Sequence, residues 1–204
     1  MPVIGFDLDM TLVDSADAIV DSVAHTCRHF GGTVDEDVVR AGVGLPLEVV
    51  FPDFIPEVPY AEALVVYRER YLSHGLAMQS LLPGAQESLA SVVDDGYRIV
   101  VVSAKKDTHV RAVLEEVGLS SYVADIVGER FAETKAEALR DHGALAYVGD
   151  HTGDVRGAIG AGAVAVAVAT GPTSADDLRA AGADVVLADL TEFPAWWAGF
   201  TTGS

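Results

Sequence analysis

The stretch Pro2-Val3-Ile4-Gly5-Phe6-Asp7-Leu8-Asp9-Met10-Thr11-Leu12-Val13-Asp14-Ser15 decides how this chain is read, because an apolar run ends abruptly in acid. A short apolar run of this kind reads as a strand of a parallel sheet, buried on both faces. Asp7 and Asp9 then fall just past its C-terminal end, the edge at which open α/β sheets bind ligands. Two carboxylates two positions apart repel each other when both are ionised, so the pair implies either a bound cation or a shared proton. On this stretch alone, a turn made by Asp9 and Thr11 explains the residues equally well.

The rest of the chain breaks that tie. Tyr97 to Val102 is a second Val/Ile-rich strand, ending in Ser103-Ala104-Lys105-Lys106-Asp107 ahead of a helix expected from Thr108 to Val117. A small hydroxyl followed by free backbone N–H groups can hold a phosphate oxygen, although an ordinary turn capped by Asp107 has the same composition. Lys135 lies on an amphipathic stretch from Ala132 to His142. Ala144 to Val148 reads as a third buried strand, followed by Gly149-Asp150-His151-Thr152-Gly153-Asp154 and a helix through Ala161. Asp154 is one helical turn beyond Asp150 and falls on the same side. Phosphoryl transfer needs a nucleophile, a proton donor, a divalent cation and positive charge around the phosphate; Asp7, Asp9, Thr11, Lys135 and Asp150 supply those residue types.

This ordered set resembles the haloacid dehalogenase superfamily of phosphotransferases. Its four motifs occur in order: DxDxT as Asp7 to Thr11, the serine of the second as Ser103, the lysine of the third as Lys135, and GDxxxD as Gly149 to Asp154. The likeness runs from Ile4 to about Leu187, and Leu12-Val13-Asp14-Ser15 with the helical insert before Pro83-Gly84 is similar to phosphoglycolate phosphatase and its relatives. The resemblance implies Asp7 as nucleophile, Asp9 as the acid and base whose pKa must be raised, and Lys135 bridging nucleophile and phosphate. Leu8, Thr11, Ser103, Ala104 and Lys105 would surround the phosphoryl group. Magnesium would be held by the Asp7 and Asp150 carboxylates and the Asp9 carbonyl, a ligand set suited to it. Asp154 would be either a further ligand or a partner that orients water or Lys135. The implied fold is α/β, a doubly wound parallel sheet (a Rossmann-like core) with a small α-helical cap, its Asp7 strand central between the Ser103 and Asp150 strands.

Residues 1–14 and 80–204 are expected to form that core and 15–79 the cap. Asp17 to Phe30, Asp35 to Ala41, Leu47 to Phe51 and Tyr60 to Ser73 each carry helical spacing, broken by Gly31-Gly32, by Gly42-Val43-Gly44-Leu45-Pro46 and by a loop from Pro52 to Pro59. Arg40, Arg68, Arg70 and His74 are the cap's candidates for holding an anionic substrate, against the alternative that they pair with Glu36, Glu62 and Glu69. Beyond the fourth motif, Ala163 to Ala169 reads as a strand covered on both faces. Ser174 caps a helix to Ala180, Ala183 to Leu187 is a final strand, and Trp196 and Trp197, on a helix from Glu192 to Ala198, are expected to cover the sheet edge.

These residues imply hydrolysis of a small phosphomonoester of the phosphoglycolate or sugar-phosphate type. The rival is a mutase like β-phosphoglucomutase, but such enzymes carry an Arg in the cap loop that here reads Gly42 to Leu47. A phosphonate-cleaving relative would need a cap lysine, and Ser15 to Pro83 contains none. A dehalogenase needs no acid at Asp9, and a purely binding module would not need Asp7, Asp9, Lys135 and Asp150 together.

Lys+Arg 13 against Asp+Glu 31, formally −18, makes nucleic acid and anionic membranes poor partners. A small phosphorylated metabolite is the expected partner, with the chain a monomer or homodimer. One cysteine, Cys27, and a start without a basic-then-apolar leader fit the cytoplasm. Surface acid with almost no lysine is also the pattern of proteins from salt-accumulating microbes, in which concentrated salt screens self-repulsion. Folding and activity are therefore expected to strengthen from low salt to molar potassium chloride; salt-independent unfolding and turnover would remove the halophile expectation.

Overall fold

A computed structural model describes residues 1–202; the last two positions of the expected core segment, 203–204, lie outside the described residues. Six strands form a parallel sheet: β1 (Val3–Phe6), β4 (Arg98–Val102), β5 (Val123–Val127), β6 (Ala144–Gly149), β7 (Val164–Val168) and β8 (Val185–Leu187). Their order is β5-β4-β1-β6-β7-β8, so β1 sits between β4 and β6 as the resemblance implies.

Period-two alternation sorts the strand residues into two cores. Ile4, Phe6, Ile99, Val101, Val148, Val166 and Val168 face the layer that holds α5 (Ala85–Asp94), α6 (Asp107–Glu116) and α10 (Phe193–Thr202). Val3, Val100, Val102, Tyr147, Ala165 and Ala167 face α7 (Glu133–His142), α8 (Thr152–Ala161) and α9 (Ala175–Ala180). Full burial of each Val or Ile stabilises by about 1.5–3 kcal/mol, so a one-residue slip of register would be strongly opposed. Gly5 faces the second layer because a Cβ there would lie 2.7 Å from both Leu139 Cδ2 and Tyr147 Cδ2.

Between β1 and α5 the chain leaves the sheet and returns. It leaves through β2 (Val13–Asp14) and comes back through β3 (Ser80–Leu81), and the two pair antiparallel. The excursion contains α1 (Ala16–His29), α2 (Glu36–Ala41), α3 (Leu47–Phe54) and α4 (Tyr60–Arg70). Cys27 is buried on α1.

Several sequence expectations need correction. The helix expected to Ser73 ends at Arg70 and passes into a π turn, Tyr71–Gly75, which seats Tyr71 fully inside the core. α3 continues through Pro52 to Phe54, with Phe51 packed against Tyr60 and Tyr67. β5 was not expected at all: it is an edge strand, exposed or half-buried along its length, and lacks the apolar signature of the others. Trp196 and Trp197 do not cover a sheet edge. Trp197 is buried over the central face, 6.1 Å from the Phe193 ring that in turn meets Phe6, and its Nε1 donates to Asp95 at 2.8 Å.

Gly84, which leads into α5, has φ +81, and a Cβ there would lie 2.4 Å from the backbone of Leu190 and Thr191. Gly96 has φ +82 and open space. Urea unfolding is expected to show a loss of about 3 kcal/mol or more for Gly84→Ala and about 1 kcal/mol for Gly96→Ala; equal losses would mean that the backbone contact at Gly84 relaxes freely.

Candidate active site

The sheet order puts the C-terminal ends of β1, β4 and β6 side by side, and Asp7, Ser103 and Asp150 follow those ends directly. Asp7 N donates to Val148 O at 2.8 Å, which ties the two acidic loops together. Beyond Asp7 the chain folds tightly: Leu12 N and Val13 N both donate to Leu8 O, and Met10 takes φ 57. Thr170 Oγ1 clamps this turn by donating to Met10 O at 2.6 Å.

Carboxylate oxygens of Asp7, Asp150 and Asp154 come within 4.8 Å of one another, and all three residues are buried. One cation faces them. Lys135 Nζ is 2.6 Å from Asp154 Oδ1 and 3.1 Å from Asp7 Oδ1. Its ammonium is held over the Tyr147 ring, and Tyr147 in turn donates to Val102 O at 2.6 Å. Asp154 is used on both sides, since its Oδ2 accepts from His151 N at 3.0 Å.

Three buried carboxylates against one lysine leave negative charge without a counterion. Burial, partly offset by Lys135 and reinforced by Asp154 and Asp9, pushes the Asp7 carboxyl up to about 7. Burial and then the neighbouring Asp154 and Asp7 charges raise Asp150 well above the usual carboxylate range. Burial opposes the charge of Lys135, but Asp154 and Asp7 outweigh it and raise its pKa. Asp150 Oδ2 is buried with no hydrogen-bond partner, and Asp7 Oδ1 has none beyond its 3.1 Å ion pair with Lys135. Under-satisfied oxygens on a crowded set of hard donors are what a divalent cation would satisfy, and the residues fit magnesium.

Ser103 is buried, and its Oγ accepts from Lys105 N at 3.2 Å while donating to no protein acceptor among the described residues. Ala104 and Lys105 line a cavity that also reaches Asp9. Lys105 turns inward: its Nζ lies 3.2 Å from Asp9 Oδ2 and 4.0 Å from the centre of the Tyr71 ring. The Leu8 side chain belongs to the core, and its backbone N–H lies against the Asp7 carboxylate.

Thr11, expected beside the phosphate, has its hydroxyl on a carboxylate. Fully buried, it donates its only hydroxyl proton to Asp150 Oδ1 at 3.0 Å, so it orients that carboxylate. The cap cations also need correction. Arg40 pairs with Asp17 at 2.6 Å, Arg70 forks onto Asp21 at 2.7 and 3.0 Å, and exposed His74 sits beside Ser73. None of these three lines the cavity. Arg68 does, although Glu129 holds it at 2.7 Å. Each arginine found an acid on a different element, and not the Glu36, Glu62 or Glu69 that spacing along the helices suggested.

Sequence reading missed Tyr71, Tyr147, Thr170 and Gly171. At Gly171 a Cβ would lie 1.8 Å from Asp150 Oδ2, and at Gly149 one would lie 2.4 Å from Asp154 Cγ. These glycines let bare backbone approach the acids, and only the Gly149 motif carried a local signal.

The family model for haloacid dehalogenase-like hydrolases matches residues 4–168. The chain belongs to that family. Among its relatives, tyrosine-protein kinase PtkA of Mycobacterium tuberculosis is 33% identical over 84% of this chain and 63% of its own length, so the chain spans less than two thirds of that protein. The plasmid phosphoglycolate phosphatase of Cupriavidus necator is 30% identical over 93% of this chain and 90% of its own. The solved structure of a predicted phosphatase from Clostridium acetobutylicum superimposes with TM-score 0.85 at 25% identity, covering 97% of this chain and 98% of that one. This family member therefore shares its architecture with a protein of nearly the same extent.

Because the folded state holds a proton on Asp7 up to about pH 7 that the unfolded chain releases near 4, this group stabilises fully at low pH and ceases to as pH rises through 7. Without divalent cation, wild type is expected to lose stability relative to the non-titrating Asp7→Asn as pH rises from about 4 to 7, and magnesium is expected to flatten that slope. Thermal melts that run parallel at every pH would contradict the raised Asp7.

Proposed function

We propose that this chain is a magnesium-dependent phosphatase that hydrolyses small phosphomonoesters through an aspartyl-phosphate on Asp7. The observation that carries the reading is the buried cluster of Asp7, Asp150 and Asp154 against Lys135, at the sheet edge where β1, β4 and β6 end. A magnesium ion held by Asp7, Asp150 and the Asp9 carbonyl would neutralise charge on the phosphoryl oxygens.

In this scheme a carboxylate oxygen of Asp7 attacks phosphorus while the bond to the leaving oxygen breaks, and Asp9 gives that oxygen its proton. Water then attacks the phosphoryl group, Asp9 takes the water's proton, and the carboxylate of Asp7 is released. Ser103 Oγ and the Ala104 N–H hold equatorial oxygens, and Lys135 balances charge on them. Asp154 keeps Lys135 in place, and Thr11 keeps Asp150 in place. Lys105 leaves Asp9 for the arriving phosphate, which frees Asp9 to carry its proton.

Residues 15–79 act as a cap over a core of 1–14 and 80–204, a division supported by the paired crossings at β2 and β3. The resemblance to phosphoglycolate phosphatases favours a small metabolite as substrate. A second reading, transfer to an alcohol or phenol in place of water as in a mutase, gains support from the kinase relative.

Phosphate release from a panel of phosphomonoesters is expected to require magnesium and to fall about a thousandfold or more in Asp7→Asn. Lys105→Met is expected to raise KM more than it lowers kcat. Turnover indistinguishable between wild type and Asp7→Asn would sink the scheme, whereas label moving to a second alcohol without free phosphate would establish the transfer reading.

A further inference from the structure

Beside the phosphoryl site lies a cavity of about 560 Å³, within the range of about 300–1,000 Å³ typical of small-molecule clefts. It touches the reaction centre at Asp9, Ala104 and Lys105, and extends beneath the helical excursion. Whatever leaves phosphorus beside Asp9 must occupy this space.

The walls are apolar and come from helix faces. α1 contributes Ile19 and Val23, one turn apart, and α4 contributes Tyr60, Leu64, Tyr67 and Arg68, which share a face at i, i+4, i+7 and i+8. Val39 of α2 and Val50 of α3 complete that side. Ile19, Val50 and Leu64 are only half-buried, so each still has apolar surface to cover. The Phe131 ring closes the opposite side.

Polar groups of the lining left unengaged include buried His109, whose Nε2 has no hydrogen-bond partner, and half-buried Arg130, which forms no ion pair among the described residues. Lys105 is held by Asp9 and Arg68 by Glu129. Glu48, Lys106 and Thr134 stand at the solvent-exposed rim. A sugar lodged against such walls could reach His109 and Arg130 with few of its hydroxyls, and those facing Ile19, Val23, Val39, Val50 and Leu64 would lose water without gaining partners. A two-carbon acid would also leave most of the volume unfilled.

We infer that the preferred substrate is the phosphomonoester of an apolar, ring-bearing alcohol, larger than glycolate and poorer in hydroxyls than a sugar. This rests on the phosphatase reading above for the place of the phosphate, but selection of the organic group is tested without turnover. Binding is to be measured calorimetrically on the whole chain with magnesium present, using the non-hydrolysable 1-naphthylmethylphosphonate, phosphonoacetate and a glucose phosphonate.

The naphthyl compound is expected to bind at least about tenfold more tightly than either polar one. The neutral substitutions Leu64→Asn and Ile19→Asn are expected to abolish that preference by weakening the naphthyl compound far more than phosphonoacetate. Equal or reversed affinities in the wild type, or no binding of any of the three, would overturn the inference. Phosphate release from 1-naphthyl phosphate and phosphoglycolate separates the two readings: turnover that favours phosphoglycolate overturns this inference and upholds the phosphatase, and binding preference without any turnover does the reverse.

Discussion

Three buried carboxylates, Asp7, Asp150 and Asp154, face a single lysine, and much of the fold serves to hold them there. Like charges in a poorly solvated site repel strongly, so they stay together only where surrounding structure fixes each one. Parallel pairing of β1 with β6 delivers Asp7 and Asp150 from adjacent strand ends. Thr11 and the His151 N–H fix two carboxylates by hydrogen bonds, and the missing side chains of Gly149 and Gly171 leave them room. Lys135 reaches the cluster because α7 lies close on α8, where a Cβ on Gly157 would come within 3.0 Å of Lys135 Cβ. The loop before α7 bears its own strain, with Glu129 at φ 55 and Ala132 at φ 46, which places the lysine at its depth.

That charge imbalance also accounts for where the lysines are. The chain has three, and Lys105, Lys106 and Lys135 all lie in the site or its cavity. Positive charge is concentrated beside the buried acids and their cavity, within a molecule of formal charge −18. The field of the remaining surface would repel a phosphate, and the local cations oppose it.

The helical excursion walls one side of the cavity beside this cluster. Its two crossings are tied side by side by β2 and β3, so the helices are tethered close to the loop that carries Asp7 and Asp9. Asp9 stands at the junction, with its side chain on Lys105 and the cavity beyond. The π turn at Tyr71 puts an aromatic face under Lys105, which links the excursion's end to the residue that pairs with Asp9. The ion pair between Arg68 and Glu129 joins α4 to the loop after β5 across the cavity mouth. Such a half-exposed pair contributes little stability and gives way readily.

Runs of Val, Ile and Ala ending in Asp7, Ser103 and Asp150 made the parallel sheet and the acids at its edge legible in the sequence, because strand burial and turn chemistry are written in adjacent residues. The edge strand β5 escaped notice because half-exposed strands lack that signature, and Thr170 and Gly171 did so because their importance lies in Met10 and Asp150, far away in sequence. Thr11 had the right spacing for a phosphate contact, yet only the folded chain shows its hydroxyl turned to Asp150. Arg40, Arg70 and His74 had the right charge for an anion, and their partners were likewise set by three-dimensional proximity. Sequence thus determined the fold and the acidic edge through local pattern, while tertiary structure decided which polar groups are already engaged and how apolar the neighbouring cavity is, since both depend on residues that meet only when distant elements pack.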